Sequence, residues 1–273
     1  MNPIGIMQGR LCPSIDGRIQ FFPPNWRDEF PRAKEAGLYC VEWIYDAETS
    51  SVNPIATGGG INEIRKLSER YGVHVLSVCA DYFMRERLVD SDGEVHSSNL
   101  NRLKWLLERA GLLGARYTVL PFVDSSSLKS TKELQGLVKG MQMAIPAAER
   151  YDVEIHLETD LKSSVLREVL NKLSHPLVRM NYDIGNSASL GYDPSEELTG
   201  VGALLGSVHV KDRVLGGSTV PLGSGSADFK TCFRLIREND FQGPFILQAA
   251  REAGLTETEL AIKNRKFVMQ FLM

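Results

Sequence analysis

Four polar residues stand at the ends of four consecutive apolar segments in the second half of the chain. They are Glu158 in VEIHLETD, Asp183 in VRMNYDIGN, His209 in GSVHVKDR and Gln248 in GPFILQAAR. Intervals of 25, 26 and 39 residues separate them, each roughly one strand and one helix. Carboxylate and imidazole groups at the mouths of neighbouring parallel strands can converge on one metal ion. The amide of Gln248 can also ligate a metal, but it cannot act as a base.

A buried hydrogen-bonded network without metal is the alternative interpretation of Glu158, Asp183 and His209. It is disfavoured because apolar strand ends rarely keep two carboxylates that lack a compensating charge. A metal site is therefore the prediction for these three residues.

The elements that would hold these residues alternate along the whole chain. Strands are predicted at Pro3–Gly9, Tyr39–Ile44, His74–Ala80, Tyr117–Phe122, Glu154–Glu158, Val178–Asp183, Ser207–Lys211 and Pro244–Gln248. Most are nearly continuous apolar runs, as expected of parallel strands covered on both faces. Amphipathic patterns predict helices at Asp28–Ala36, Ile61–Tyr71, Leu100–Leu113, Thr131–Arg150, Lys162–Leu173, Ser195–Leu205, Asp228–Asn239 and Leu260–Phe271.

Strict alternation of strands and helices predicts the fold class α/β and, within it, a single (β/α)8 TIM barrel. A doubly wound open sheet is the weaker alternative. Because no linker or low-complexity segment interrupts the pattern, one domain is predicted over residues 1–273. Thr256 and Glu259 form a capping-box pattern that opens the last helix.

Composition restricts the partners and the compartment. The net charge of −3 argues against a nucleic-acid partner and against an anionic membrane surface. No apolar run approaches the roughly 18 residues of a membrane span, and the N-terminal sequence has no signal-peptide pattern. The scattered cysteines Cys12, Cys40, Cys79 and Cys232 are typical of buried, reduced thiols. A cytoplasmic location is predicted.

Further polar residues follow the predicted strands, at the face where such barrels form active sites. Those expected to bind substrate are Arg10, Glu42, Asn186, Lys211, Arg213 and Arg251. The guanidinium groups favour an anionic substrate that carries a phosphate or carboxylate. The alternative is that the arginines pair with Asp46, Asp212 or Glu252 at the surface.

The segments HLETD, YDIGN, SVHVKD, VPLGSGSADF and GPFILQ resemble the xylose-isomerase-like sugar isomerase and epimerase barrels. The resemblance is to the ketose and ketose-phosphate 3-epimerases and the hexulose-phosphate isomerase-like proteins. It implies a small sugar substrate, a homodimer or homotetramer, and a divalent ion (Mn, Mg, Co or Zn). The implied ligands are Glu158, Asp183 and His209, with Gln248 where the family has a fourth, glutamate ligand. Asn186 stands where many relatives have a substrate-contacting histidine.

Gln248 alters the chemistry that the resemblance implies. In the epimerases two ligating glutamates face opposite sides of the substrate, one removing a proton and the other returning it. Glu158 can take one role, but Gln248 cannot take the other. Either another group supplies the second acid or base, with Glu42, Asp81, His96, Asp212 or water as candidates, or the reaction needs one carboxylate. A third possibility is sugar binding without turnover.

The predicted function is therefore a metal-dependent isomerase or epimerase of a small sugar or sugar derivative, with Glu158 as acid and base. It acts by abstracting a proton next to a carbonyl. One alternative is a metal-dependent dehydratase of a cyclic polyol or keto acid. The other is a non-catalytic sugar-binding barrel.

Overall fold

The computed structural model describes residues 2–14 and 22–272. Its strands are β1 Ile4–Met7, β2 Cys40–Ile44, β3 His74–Cys79, β4 Tyr117–Phe122, β5 Glu154–Thr159, β6 Val178–Asp183, β7 Leu205–Val210, β8 Asp212–Arg213, β9 Thr219–Val220 and β10 Phe245–Leu247. Eight of them close a barrel in the order β1, β10, β7, β6, β5, β4, β3, β2, while β8 and β9 form a short antiparallel hairpin. The predicted (β/α)8 fold is confirmed.

The helices alternate with the barrel strands as predicted. They are α1 Glu29–Glu35, α2 Gly58–Tyr71, α3 Ser97–Leu113, α4 Thr131–Tyr151, α5 Ser163–Leu173, α6 Ile184–Leu190, α7 Pro194–Leu198, α8 Phe229–Glu238 and α9 Glu257–Leu272. The predicted capping box is present at α9, where the Glu259 amide donates to the Thr256 hydroxyl and the Thr256 amide to the Glu259 carboxylate. No helix within the described ranges is long and apolar enough to cross a membrane.

The region after β6 differs from the prediction of one helix over Ser195–Leu205. A helix begins directly at the strand end, because the Asp183 carboxylate caps it by accepting a bond from the Asn186 amide at 2.8 Å. Gly191, with φ of 71°, ends that helix in the left-handed conformation. The second helix, α7, then ends at Leu198. The two short helices keep Asp183 and Asn186 on one tight turn.

The chain divides into two compact units. One comprises residues 1–43, 66–75 and 181–273, and the other comprises residues 44–65 and 76–180. The first unit contains β1, β7, β10 and the hairpin, and the second contains β4, β5, α3, α4 and α5. One domain over residues 1–273 stays a prediction.

The barrel strands are buried almost throughout, which agrees with their apolar sequences. All residues of β1, β2, β4 and β10 are buried. In β5, which pairs with β4 over six residues, only Glu154 and Thr159 are partly exposed. The four cysteines are buried thiols, as predicted. Burial also raises the pKa of Cys232 to about 12, so this thiol is unreactive at neutral pH.

Candidate metal centre

Asp183 ends β6, and its two carboxylate oxygens have different surroundings. Oδ1 accepts the helix-capping bond from the Asn186 amide, whereas Oδ2 lies 2.8 Å from Lys211 Nζ and 3.8 Å from His209 Nδ1. Burial opposes ionisation of this carboxyl, but the Lys211 ammonium and His209 outweigh it and hold the pKa below its usual value. Asp183 is therefore an ionised carboxylate, the form that ligates a metal.

His209, near the end of β7, contacts a second carboxylate through its other ring nitrogen. Its Nε2 lies 2.8 Å from Glu42 Oε1, and both side chains are fully buried. The prediction that Glu42 binds substrate does not fit this location, because β2 aims the carboxylate at the imidazole. This buried bond occupies one of the two carboxylate oxygens of Glu42.

Gln248 directly follows β10, and the nitrogen and the oxygen of its side-chain amide have different surroundings. Nε2 donates to the sulfur of Met7 at 3.0 Å. Oε1 is buried and has no hydrogen-bond partner among the residues that the structure describes. A buried amide oxygen is costly without a partner, and it is the atom through which glutamine ligates a metal. This oxygen fits the expected role of Gln248.

Glu158, the next-to-last residue of β5, is buried and lies in register with Pro121 of β4. With Asp183 and His209 it forms a group in which each residue offers one ligand atom, and these atoms lie within 4.8 Å of one another. This group could bind a metal ion. Two carboxylate oxygens and one imidazole nitrogen are donors suited to Mn²⁺, Mg²⁺, Co²⁺ or Zn²⁺.

Lys211 and Arg213, both predicted to bind substrate, contact the side chain of Asn186, and Lys211 also pairs with Asp183. Lys211 Nζ donates to Asn186 Oδ1 at 3.3 Å, and Arg213 Nη1 donates to the same oxygen at 3.0 Å. The rest of the Arg213 guanidinium donates to the carbonyl of Gly217 at 2.9 and 3.1 Å. Within residues 2–14 and 22–272, Arg213 thus contacts only neutral oxygens, and no carboxylate compensates its charge.

Arg251, by contrast, has a structural position. Its guanidinium pairs with Glu257 at 2.9 Å and donates to the carbonyls of Gly9 and Cys12 at 3.1 and 2.6 Å. These bonds fasten the loop after β1 to the start of α9. Both terminal nitrogens of Arg251 are thus used by the protein itself, and its binding of substrate stays a prediction.

Asp212 is fully buried and holds the loop that precedes α8. Its Oδ2 accepts from the amides of Gly223 and Gly225 at 2.9 and 2.8 Å, and its Oδ1 accepts from the amide of Ala227 at 3.2 Å. Backbone amides of a glycine-rich loop could have bound a phosphate, but here a side chain of the protein uses them. Asp212 is thus neither an arginine partner nor a free acid or base.

Glu29, in the first turn of α1, was not singled out by sequence reasoning. It is fully buried, and its Oε1 accepts from the amide of Gly9 at 2.6 Å. Burial raises the pKa of Glu29 to about 7. No sequence signal distinguishes Glu29 from an ordinary solvated carboxylate at a helix start.

Arg10, which is predicted to bind substrate, lies half-buried in the loop after β1. Its Nη1 donates to the carbonyl of Gln8 at 3.4 Å.

Replacing Glu29 with glutamine should change how the free energy of unfolding depends on pH. A carboxyl whose pKa rises from 4.5 to about 7 on folding stabilises the fold fully below pH 4.5 and loses this contribution as the pH rises through 7. The loss amounts to about 3 kcal/mol. Glutamine does not titrate, so E29Q should not lose this stability. Relative to wild type, the free energy of unfolding of E29Q should therefore rise by that amount between about pH 4.5 and 8. Urea unfolding at both pH values measures it.

The control for this substitution is Glu35→Gln, which changes an exposed carboxylate on the same helix. E35Q should leave the pH dependence of unfolding as in wild type. If the E29Q and wild-type curves run parallel across this range, Glu29 does not titrate as its burial implies.

The chain resembles known proteins along most of its length. A family model described as xylose isomerase-like TIM barrel matches residues 30–269. The chain is 28% identical over 246 residues to the L-ribulose-5-phosphate 3-epimerase UlaE of Shigella flexneri serotype 5b, with 84% of each chain covered.

Solved structures with a similar fold include an IOLI protein with a bound zinc atom. It has a TM-score of 0.76 and 15% identity, with 99% of this chain and 98% of that chain covered. A D-allulose 3-epimerase from Methylomonas sp. also has a TM-score of 0.76 and 15% identity, with the same coverage of 99% and 98%. These likenesses support the fold.

Proposed function

The chain belongs to the xylose isomerase-like TIM barrel family, and on that premise we propose that it is a divalent-metal-dependent epimerase or isomerase of a small sugar or sugar derivative. The observation that carries the proposal is the buried group of Glu158, Asp183 and His209, whose ligand atoms lie within 4.8 Å. The 28% identity to an L-ribulose-5-phosphate 3-epimerase supports the same reaction class.

Glu158, Asp183, His209 and Gln248 would hold the ion. A divalent ion, when bound, polarises a carbonyl and its neighbouring hydroxyl and stabilises the negative charge that follows loss of a proton. Glu158 takes the proton from the carbon next to the carbonyl, because the other carboxylate of the group, Asp183, is paired with Lys211. Asp183 stays ionised beside this lysine and serves as a ligand only.

Gln248 leaves the site with one acid and base among its proposed ligands. Two of the candidates for a second, Glu42 and Asp212, are engaged by His209 and by backbone amides. We therefore infer that Glu158 moves the proton on one face of the substrate, and that any return from the opposite face uses water or one of the two remaining candidates, Asp81 and His96. A dehydratase needs only one such base, so the amide at position 248 favours it as the second candidate function.

The substrate is proposed to contact Asn186, Lys211 and Arg213. Arg213 carries a charge that no carboxylate compensates among the residues described, which supports an anionic group on the substrate. The name of the UlaE relative, a ketose-phosphate epimerase, agrees with a phosphate. The amides that Asp212 occupies do not take part. A homodimer or homotetramer and a cytoplasmic location remain predictions.

The test of this function combines metal analysis with proton exchange. The purified protein, stripped with a chelator and resupplied with Mn²⁺, Co²⁺, Mg²⁺ or Zn²⁺, should catalyse uptake of deuterium from D₂O next to the carbonyl. Ketoses, ketose phosphates and keto-inositols form the substrate panel, and NMR follows the exchange. A protein that binds none of these ions and exchanges none of these substrates is not an enzyme of this class.

Gln248→Glu tests the role of the amide. A third carboxylate should tighten binding of the divalent ion about tenfold, because affinity follows ligand charge. It should also raise the fraction of product with inverted configuration, since a base then stands at the second position. Isothermal titration with Mn²⁺ and NMR of the products measure the two effects.

Gln270→Glu is the control, since it adds the same charge at an exposed position of α9. It should change neither quantity. Loss of exchange in Q248E, with metal still bound, would mean that the amide itself takes part in the reaction and that the one-carboxylate mechanism depends on it.

A further inference from the structure

The pair of Glu42 and His209 is the most deeply buried carboxylate–imidazole contact in the described part of the chain. Glu42 Oε1 and His209 Nε2 are 2.8 Å apart, and the exposed fraction of each side chain is 0%. The backbone on the Glu42 side is also fixed, because its carbonyl accepts from the amide of Gln8 at 2.9 Å. Neither side chain reaches solvent.

The contact determines which ring nitrogen of His209 carries the proton. A carboxylate only accepts hydrogen bonds, so the nitrogen facing Glu42 must be the protonated Nε2. The other nitrogen, Nδ1, faces Asp183, with 3.8 Å between Nδ1 and Oδ2. A buried carboxylate deprived of its partner is costly, so Glu42 holds the ring firmly in this orientation.

We propose that Glu42 is a positioning residue that keeps the His209 proton on Nε2 and thereby presents the Nδ1 lone pair to the divalent ion. The inference rests on the proposed function, in which His209 is a ligand. It assigns Glu42 to metal affinity and not to the substrate or to proton transfer. Carboxylates that bond to the far nitrogen of a ligating histidine fix its tautomer and raise its basicity.

A second carboxylate–histidine pair offers a matched comparison. His156 Nε2 lies 2.7 Å from Glu154 Oε2, and the imidazole stacks on Tyr117 with ring centroids 4.3 Å apart. Arg179 lies 3.3 Å from the same oxygen. This pair has the same chemistry, but its histidine does not belong to the group that could hold a metal.

The experiment compares wild type, Glu42→Gln and Glu154→Gln by two readouts. Long-range ¹⁵N–¹H spectra of histidine-labelled protein report the tautomer of each ring, and calorimetric titration with Mn²⁺ and Co²⁺ reports affinity. We expect E42Q to weaken metal binding 10- to 100-fold, the range for loss of such a partner, and to lose the uniform Nε2–H form of His209. E154Q should keep wild-type affinity and the wild-type spectrum of His209.

Glu42→Asp keeps the charge on a shorter side chain, and it should fall between wild type and E42Q in affinity. If circular dichroism shows that E42Q does not fold, the Glu42→Asp variant takes its place in both measurements. Equal affinity in wild type and the Glu42 variants would overturn the inference while leaving the proposed function intact. A His209 ring protonated at Nδ1 in wild type would also overturn it. If wild type binds no ion, both the inference and the proposed function are wrong.

Discussion

Glu158→Gln should lower the rate of proton exchange about 1,000-fold, within the range for removal of a general acid or base. The amide has nearly the shape of the carboxylate, but it neither accepts nor releases a proton near neutral pH. The other carboxylate of the group, Asp183, is a poor replacement: burial opposes its ionisation, but Lys211 and His209 outweigh this and lower its pKa, which makes it a weak base. Deuterium uptake into the substrate under saturating Mn²⁺ measures the effect.

Glu154→Gln, on the same strand but four residues earlier, is the control and should exchange at the wild-type rate. Calorimetric titration with Mn²⁺ should be done on both variants. It separates a loss of exchange caused by weaker metal binding from one caused by removal of the base. Exchange in E158Q within tenfold of wild type would assign proton abstraction to another group.

Asp212→Ala should lower the free energy of unfolding by about 4.5 kcal/mol, since each of the three charge-assisted hydrogen bonds that it removes contributes about 1.5 kcal/mol. Three backbone amides, those of Gly223, Gly225 and Ala227, would lose their acceptor at once. The side chain is fully buried, so water does not readily replace it. Chemical denaturation followed by circular dichroism gives the value.

Asp228→Asn is the control for that loop, because Asp228 caps α8 by accepting a single backbone bond from the Thr231 amide. Asparagine caps helices about as well as aspartate, so D228N should change the free energy of unfolding by less than about 0.5 kcal/mol. A cost below about 1 kcal/mol in D212A would show that the loop finds other acceptors for its amides.

The barrel was predictable because its strands are continuous apolar runs bounded by glycine and polar residues. Short apolar runs alternate along the chain with longer segments in which apolar residues recur at helical spacing. This alternation predicted both the order and the type of the main elements. The short helices after β6 were not predictable, because Gly185, Asn186 and Ser187 are weak helix formers. That helix forms because the Asp183 carboxylate caps it, a contact that depends on where the strand ends.

The candidate site was predictable in its residues and less so in their partners. Glu158, Asp183 and His209 come together because they end neighbouring strands, which spacing along the chain reveals. The partners of Glu42 and Arg251 depend on side-chain direction across the barrel, and sequence spacing does not contain it. The burial of Glu29 was not predictable for a related reason, since it depends on contact with the loop after β1, whose Gly9 amide donates to the carboxylate.

The two oxygens of the Asp183 carboxylate have different roles, and this limits which substitutions position 183 can accept. One oxygen starts a helix and the other faces the proposed ion, so a single side chain serves folding and chemistry together. Asparagine could keep the cap but would lose the charge, and glutamate would keep the charge but misplace the cap. A mutational library at position 183 should therefore contain almost no tolerated variants. Position 248 caps no helix, so there we expect both the amide and the carboxylate to be compatible with folding.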